Sequence, residues 1–279
     1  TRVFMETSGT DNTYLYMAIV MSEGEINSIE EIRVDDKVVT FASAFSDGTA
    51  VEVGSGDSNF YKDSESLIRV EPHFGTDDQT ASTLLSTLSS WGSNHRLRGL
   101  CYLAIRFKWN QDAFTGIPKV QAKIKGKKVV AYNSSLVAQT AAHSTNPAWC
   151  LLDYLTNERY GKGISTTEID LQSFYDASVV CETQVEPYSG ASNINIFDTN
   201  TVLDTSQKII DNVRELLKGC RGYLPYTGGK YKLIIETTGS ASITLTEDDI
   251  IGGYNLSIPT KNERYNRVIV GFVNPDRNF

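Results

Sequence analysis

The chain has 279 residues, of which 40% are hydrophobic and 22% charged, enough for the core of one large or two modest domains and outside the composition of a disordered chain. Its formal net charge of −8 argues against a basic face for sequence-specific binding of duplex nucleic acid. No apolar run approaches the roughly 20 residues that span a bilayer, and the opening residues carry no basic-then-apolar signal pattern.

In chain order, residues 14–21, 29–34 and 38–41 alternate as strands do, separated by turns at Ser22-Glu23-Gly24-Glu25 and Asp35-Asp36-Lys37. Residues 42–66, rich in Ser, Gly and Asp, are expected as a surface excursion or a small inserted hairpin. The spacing over 80–88 predicts a short helix with Leu84, Leu85 and Leu88 on one side. Strands at 100–109 and 119–130 carry the strongest β-signal of this half. In the second, Val120, Ala122 and Ile124 alternate with Gln121, Lys123 and Lys125, so one face is buried and the other solvated.

The middle of the chain reads as helical. Asn146 can cap a helix whose first position is Pro147, where the missing N–H costs nothing. Ala148, Leu151, Leu152 and Leu155 recur on one stripe, and Trp149, Leu151 and Leu155 are expected to seat the helix. After Asn157 the chain passes through Glu158-Arg159-Tyr160 to Gly161 and Gly163, a pair suited to a tight turn. Arg159 is expected to pair with a carboxylate or backbone carbonyls, and Tyr160 to fill a pocket with its hydroxyl satisfied. Ser165 and Glu168 have capping-box spacing ahead of a helix carrying Leu171, Phe174, Ala177, Ser178 and Cys181. A polar loop with a strand or two is expected over 182–200. Asp204, with Gln207 three residues on, is expected to cap a third helix with the buried stripe Ile209, Ile210, Val213, Leu216 and Leu217, stopped by Gly219.

The last part returns to β-structure: 222–225 and 230–235 flank the hairpin signal Tyr226-Thr227-Gly228-Gly229, and further strands are expected at 242–245 and 267–273. Glu247-Asp248-Asp249 reads as a short turn or helix start. The sequence therefore describes an α+β protein: a β-barrel or sandwich-like domain over 1–132 with an inserted region at about 42–95, a helical segment over 133–221, and a second β-element over 222–279. Because 268–273 resembles a strand whose partners are missing, the chain is expected to be a piece of a longer protein.

Candidate chemistry is sparse. Cys101, Cys150, Cys181 and Cys220 lie far apart with no C-x-x-C, so a zinc site is not indicated; buried free thiols are favoured, with pairing left open. His73, Asp77 and Asp78 in EPHFGTDD form a drawable metal or acid–base group, but His73, His95 and His143 all read as surface loop residues without metal-ligand spacing. Glycoside hydrolysis needs two carboxylates about 5–10 Å apart across a cleft. The acidic clusters Glu247-Asp248-Asp249 and Asp77-Asp78 are sequence neighbours that solvated turns explain. No nucleophile elbow, Walker loop or dinucleotide fingerprint occurs. Exposed tryptophans would suit a carbohydrate-binding module. Trp109 and Trp149 are expected in packing, and Trp91, in a polar loop, at an interface with a neighbouring subunit.

The run NPAWCLLDYLTNERYGKGI over 146–164 resembles the hub region of the tail-tip attachment protein J family of lambda-like long-tailed phages. Asn146, Pro147, Trp149, Asp153, Leu155, Arg159, Tyr160 and Gly161 carry that resemblance. Tyr14-Leu15-Tyr16, Ser22-Glu23-Gly24-Glu25-Ile26, Leu97-Arg98-Gly99, Gly116-Ile117-Pro118, Lys125-Gly126-Lys127-Lys128 and Arg264-Tyr265-Asn266 extend it over most of the chain, while 42–95 and 182–200 match nothing in the family. The resemblance implies a structural virion protein at the tail tip, assembled in the bacterial cytoplasm. It implies a threefold hub that closes the tail tube until the genome passes, with other tail-tip and tail-tube proteins as partners. Host receptor contact would lie in distal domains beyond this chain. It implies no enzyme activity, no cofactor and no metal.

Overall fold

The computed structural model describes residues 2–237, 243–253, 255–258, 260, 265, 267 and 269. The chain divides into two compact units, Thr1–Glu236 and Thr237–Phe279. The first is α+β, and its β-part is built from two antiparallel sheets. One has the order β1 (Arg2–Ser8), β2 (Tyr14–Glu23), β9 (Leu100–Lys108), β8 (Ile68–His73) and β5 (Val51–Glu52). The other has the order β11 (Ala142–His143), β10 (Val120–Val129), β3 (Ile26–Val34) and β4 (Lys37–Val38). The chain leaves the first sheet and enters the second at Gly24, whose φ of 81° suits the glycine placed there.

Side-chain alternation explains the layers. Met17, Ile68, Val70, Leu103 and Ile105 from the five-stranded sheet meet Ile26, Ile29, Ile32 and Val34 from the four-stranded sheet in one core. On the opposite face of the five-stranded sheet, Tyr16, Ala18, Tyr102 and Ala104 are covered by Leu84, Leu85, Leu88 and Trp91. β9 is thus buried on both faces, which is why LCYLAIRFK reads as a nearly continuous apolar run, whereas β10, solvated on one face, alternates.

Three expectations for this region need correction. Of the two readings for 42–66, a small hairpin does form near its end, but the region is not a surface excursion: Val53 and Phe60 are buried in the sandwich core, and β5, which carries the buried Val51, pairs with β8. The hairpin β6 (Tyr61–Lys62) and β7 (Glu65–Ser66) brings Phe60 and Leu67 inward on either side of it, a role that their polar neighbours conceal. The helix expected over 80–88 is only a 3-10 turn at Leu85–Thr87, although Leu84, Leu85 and Leu88 do share one buried side. Finally, β1 precedes the first strand read from sequence and forms the outer strand of the larger sheet.

The helical part has its own core. Helices α1 (Pro147–Thr156), α2 (Leu171–Cys181) and α3 (Ile209–Lys218) pack around Trp149, Leu151, Leu155, Phe174, Val213 and Leu216. Asp170, not a Ser165–Glu168 box, caps α2 by accepting from Ser173 N; Ser165 opens the 3-10 turn before it. Asp204 does not cap α3, which starts after Lys208. Instead its carboxylate accepts from Ser206 N, and its backbone carbonyl accepts from Asn212. Ile209 and Ile210 face out, and the buried face is Asn212, Val213 and Leu216, so the stripe is rotated from the one expected. Short strands β12 (Gln184–Val185) and β13 (Ile194–Asn195) lie in the polar loop.

The hairpin expected after α3 forms, with β14 (Gly222–Tyr223) pairing β17 (Ile234–Ile235) and β15 (Tyr226–Thr227) pairing β16 (Lys230–Tyr231). Leu233 and Ile235 belong to the helical core, so the boundary expected at 222 falls inside one packed body. In the second unit, Thr246 N and its hydroxyl both donate to Asp249, closing a 3-10 turn at Glu247–Asp249. Residues 243–245 are not a strand, and the strand expected at 267–273 lies outside the described residues apart from 267 and 269.

Candidate functional site

Helix α1 and the turn after it tie the sandwich to the helical core. Asn146 is 4% exposed and does two jobs: its side-chain oxygen accepts from Ala148 N at 3.0 Å, and its amide donates to Ser178 O and Glu182 on α2. Pro147, Trp149 and Leu155 are buried, with Trp149 facing Tyr132 at 6.1 Å. Tyr154 is also buried, and its hydroxyl accepts from Asn212 on α3 at 2.9 Å. The N-terminal half of the motif therefore fixes α1 against both other helices.

The C-terminal half faces the sandwich. Lys162 N donates to Tyr154 O and Gly163 N to Asn157 O, folding the chain back over the helix end. A Cβ on Gly161 would lie 1.9 Å from Tyr154 O and 2.9 Å from Asn157 O. Close backbone approach, rather than a left-handed φ, is what requires glycine here. The turn thus formed presents Arg159 and Tyr160 to the β-part. Arg159 pairs with Glu23 at the end of β2. Tyr160 donates its hydroxyl to Asp153 at 2.5 Å, while Lys127 on β10 stands 3.9 Å from the same carboxylate and 5.2 Å from the centre of the Tyr160 ring. Gly99 lies beneath Arg159, where a Cβ would stand 2.8 Å from the guanidinium, and its N–H and carbonyl bond Thr76 and Gly24.

Four separate stretches that carry the resemblance thus meet at one junction: 22–26, 97–99, 125–128 and 146–164. The sequence shows each of them and not their meeting. Burial pushes the Asp153 carboxyl up, and the Tyr160 hydroxyl and the Lys127 ammonium pull it down without cancelling that rise. The same burial, with Asp153 beside it, raises the Tyr160 hydroxyl above its usual range.

A second polar cluster was missed in the sequence. His73 is not a surface loop residue; it is 1% exposed, ends β8, and stacks on Tyr102 with ring centres 4.4 Å apart. Its Nε2 donates to Glu71, also 1% exposed, which further accepts from Ser82, from Thr83 N and its hydroxyl, and from Leu84 N. Glu71 thereby takes up the Thr83 and Leu84 N–H groups just ahead of the 3-10 turn, while Ser82 accepts from Leu85 N at its start. Burial alone would raise its carboxyl, but the bonds from His73, Leu84 and Thr83 together outweigh this and hold it at about 2. The dipeptide Glu71-Pro72 reads as turn chemistry, which hides the strand.

The tryptophans follow expectation only in part. Trp91 is 5% exposed within its own chain, packed on Phe4, His95 and Tyr102, so little of it is left for a neighbouring subunit. Trp109, expected in core or interface packing, is 53% exposed because the chain leaves the sheet just before it, so the core half of that expectation fails, whereas Trp149 is buried as expected. Asp77 and Asp78 are exposed and do not join His73. Among the described residues no group of three His, Cys, Asp or Glu side chains is placed to hold a metal. Cys101, Cys181 and Cys220 are buried free thiols and Cys150 is half-buried; burial pushes Cys101, Cys150 and Cys181 up to about 12, far from a reactive thiolate.

No family model matches the chain. Over 98% of its residues it is 25% identical to the baseplate hub protein pb3 of Escherichia phage T5, and it spans 34% of that protein. Over 76% of its residues it is 24% identical to the tip attachment protein J of Escherichia phage SECphi4, and over 40% it is 29% identical to that of Escherichia phage SECphi27. The chain is a relative of phage baseplate hub and tip attachment proteins. The resemblance read from its motifs is borne out, and it reaches well beyond the 146–164 run. This hub relative spans about a third of pb3 and no more than a fifth of either tip attachment protein.

Proposed function

We propose that the chain is a structural part of a phage tail tip: a hub segment that caps the tail tube, supports host attachment, and opens for DNA. The observation that carries this reading is the match to a baseplate hub protein along 98% of the chain. The junction is what such a part requires. A hub transmits load between a β-scaffold and the domains beyond it, and here Glu23, Lys127, Asp153, Arg159, Tyr160 and Gly161 join the two cores. The chain acts by shape and assembly rather than catalysis. Its partners are copies of itself, as a homotrimer in the virion, together with other tail-tip and tail-tube proteins. Its acidic balance suits a lumen that does not hold DNA.

The test is immunogold electron microscopy of phage particles with antibody raised against this chain. Label confined to the distal tail end is the expected outcome. Intact, accessible tail tips without label, and antigen free in the supernatant, would remove the hub reading and turn attention to polysaccharide binding and hydrolysis.

A further inference from the structure

Strand β1 is a long open edge of the five-stranded sheet. It pairs only with β2 and runs for seven residues, whereas the other outer strands of the two large sheets, β4, β5 and β11, have two residues each. Its pairing places Met5 opposite Met17 and Thr7 opposite Leu15, so these two side chains face the sandwich core. Core-facing residues are ordinarily covered, yet Val3 is 50% and Met5 46% exposed. The other face of β1 is already held, by Phe4 on Trp91 and by Glu6 taking a hydrogen bond from Ser90. The edge is therefore preformed and fixed, and one layer is missing beside it.

The space where that layer would lie is a groove of about 330 Å³, continuous with β1 through Met5 and Thr7. Leu15, Phe107 and Phe114 form part of its lining, and Trp109 and Ile117, both more than half exposed, stand within it. No lining residue is charged. We propose that β1 and this groove receive an extended, uncharged segment of another protein, added as a sixth strand with apolar side chains at alternate positions. Main-chain bonds to β1 supply the affinity and the groove takes every second side chain.

Two features choose this occupant, and pairing of β1 with the β1 of a second copy is the competing outcome that sedimentation reads. A lining without charge favours an uncharged ligand, because a buried unpaired charge is costly. A seven-residue edge and a small groove fall short of the roughly 800 Å² per partner of a stable folded interface. The irregular register between Arg2 and Phe4 limits the pairing to the stretch from Phe4 onward. The inference stands independently of the hub reading.

The probe is an acetylated, amidated heptapeptide of alternating Thr and Val, titrated into the full chain. Two controls accompany it, one with a central Pro and one with Lys in place of Val. The expected result is a change in Trp109 fluorescence, with slowed exchange of alternate amides in β1, for the Thr/Val peptide alone. Ile117→Lys, at the groove, should weaken binding about tenfold, while Val137→Lys, exposed elsewhere, should leave it unchanged. Absence of binding, equal binding of the Pro or Lys peptide, or binding without protection of β1 would each overturn the proposal. So would sedimentation showing that the chain self-associates through β1, which Met5→Lys would abolish.

Discussion

Glu71 and Asp153 are both carboxylates taken out of water, one under the outer face of the five-stranded sheet, the other where α1 meets β10. Glu71 has five donors aimed at it and stays ionised down to about pH 2. Asp153 has one hydroxyl and a lysine at 3.9 Å, and its carboxyl is raised. Burial works against both, and the number of aligned donors decides the sign. The first site stabilises the ionised sheet; the second keeps a charge at a standing cost, at the contact that joins two cores.

Substitutions can break this comparison, and the largest effect is expected at Gly161. Gly161→Ala forces its Cβ into Tyr154 O, so the turn must open; a loss of about 3 kcal/mol or more is expected in chemical denaturation. Faster amide exchange at Lys162 should accompany it, and an unchanged midpoint would show that the backbone yields cheaply. Glu71→Gln comes next. With a folded value of about 2 against an ordinary 4.5, ionised Glu71 contributes about 3 kcal/mol at neutral pH. The depressed folded value means the unfolded chain binds the proton first, so this stability is present above about pH 4.5 and is lost as pH falls towards 2. The Gln variant should be less stable at pH 7 and should lose that part of the acid slope; an unaltered slope would assign it elsewhere.

Effects at the junction should be smaller. Tyr160→Phe removes the hydroxyl that Asp153 relies on and should cost about 1–2 kcal/mol. Asp153→Asn should change stability at pH 7 by less than about 1 kcal/mol, because it removes a costly charge along with its partners. Its pH-dependence has the opposite sign to that of Glu71. A raised folded value means the folded chain holds the proton longer, so wild-type stability from this group falls as pH rises through that value, and the Asn variant should lack this fall. A loss above about 3 kcal/mol in Asp153→Asn would show that the ionised form is stabilising after all. Arg159→Ala should have the least effect, under about 1 kcal/mol and smaller still in high salt, because 59% of the Arg159 side chain is exposed.

What could be read from the sequence was local. The Asn146 cap, the Pro147 start, the alternation of β10 and the Gly228-Gly229 hairpin are decided by neighbours within a few residues, and the structure has them where they were expected. What could not be read depends on contacts across the chain. Phe60 and Leu67 are drawn inside because β8 pairs with β9, Ile209 and Ile210 face out because Asn212 bonds Tyr154, and His73 is buried because Tyr102 lies across from it. The candidate site followed the same rule. Arg159, Tyr160 and Gly161 were visible as a motif, but their partners Glu23 and Lys127 lie far away in sequence.

The position of β10 bears on the order in which the protein is made. Every strand of both large sheets, through His143, precedes Pro147. Because residues leave the ribosome in chain order, every strand of the sandwich, together with Glu23, Gly99 and Lys127, is outside it before the last turn of α1 emerges. The last turn of α1 then emerges onto a surface that is waiting for it, and one half of the protein serves as template for the other.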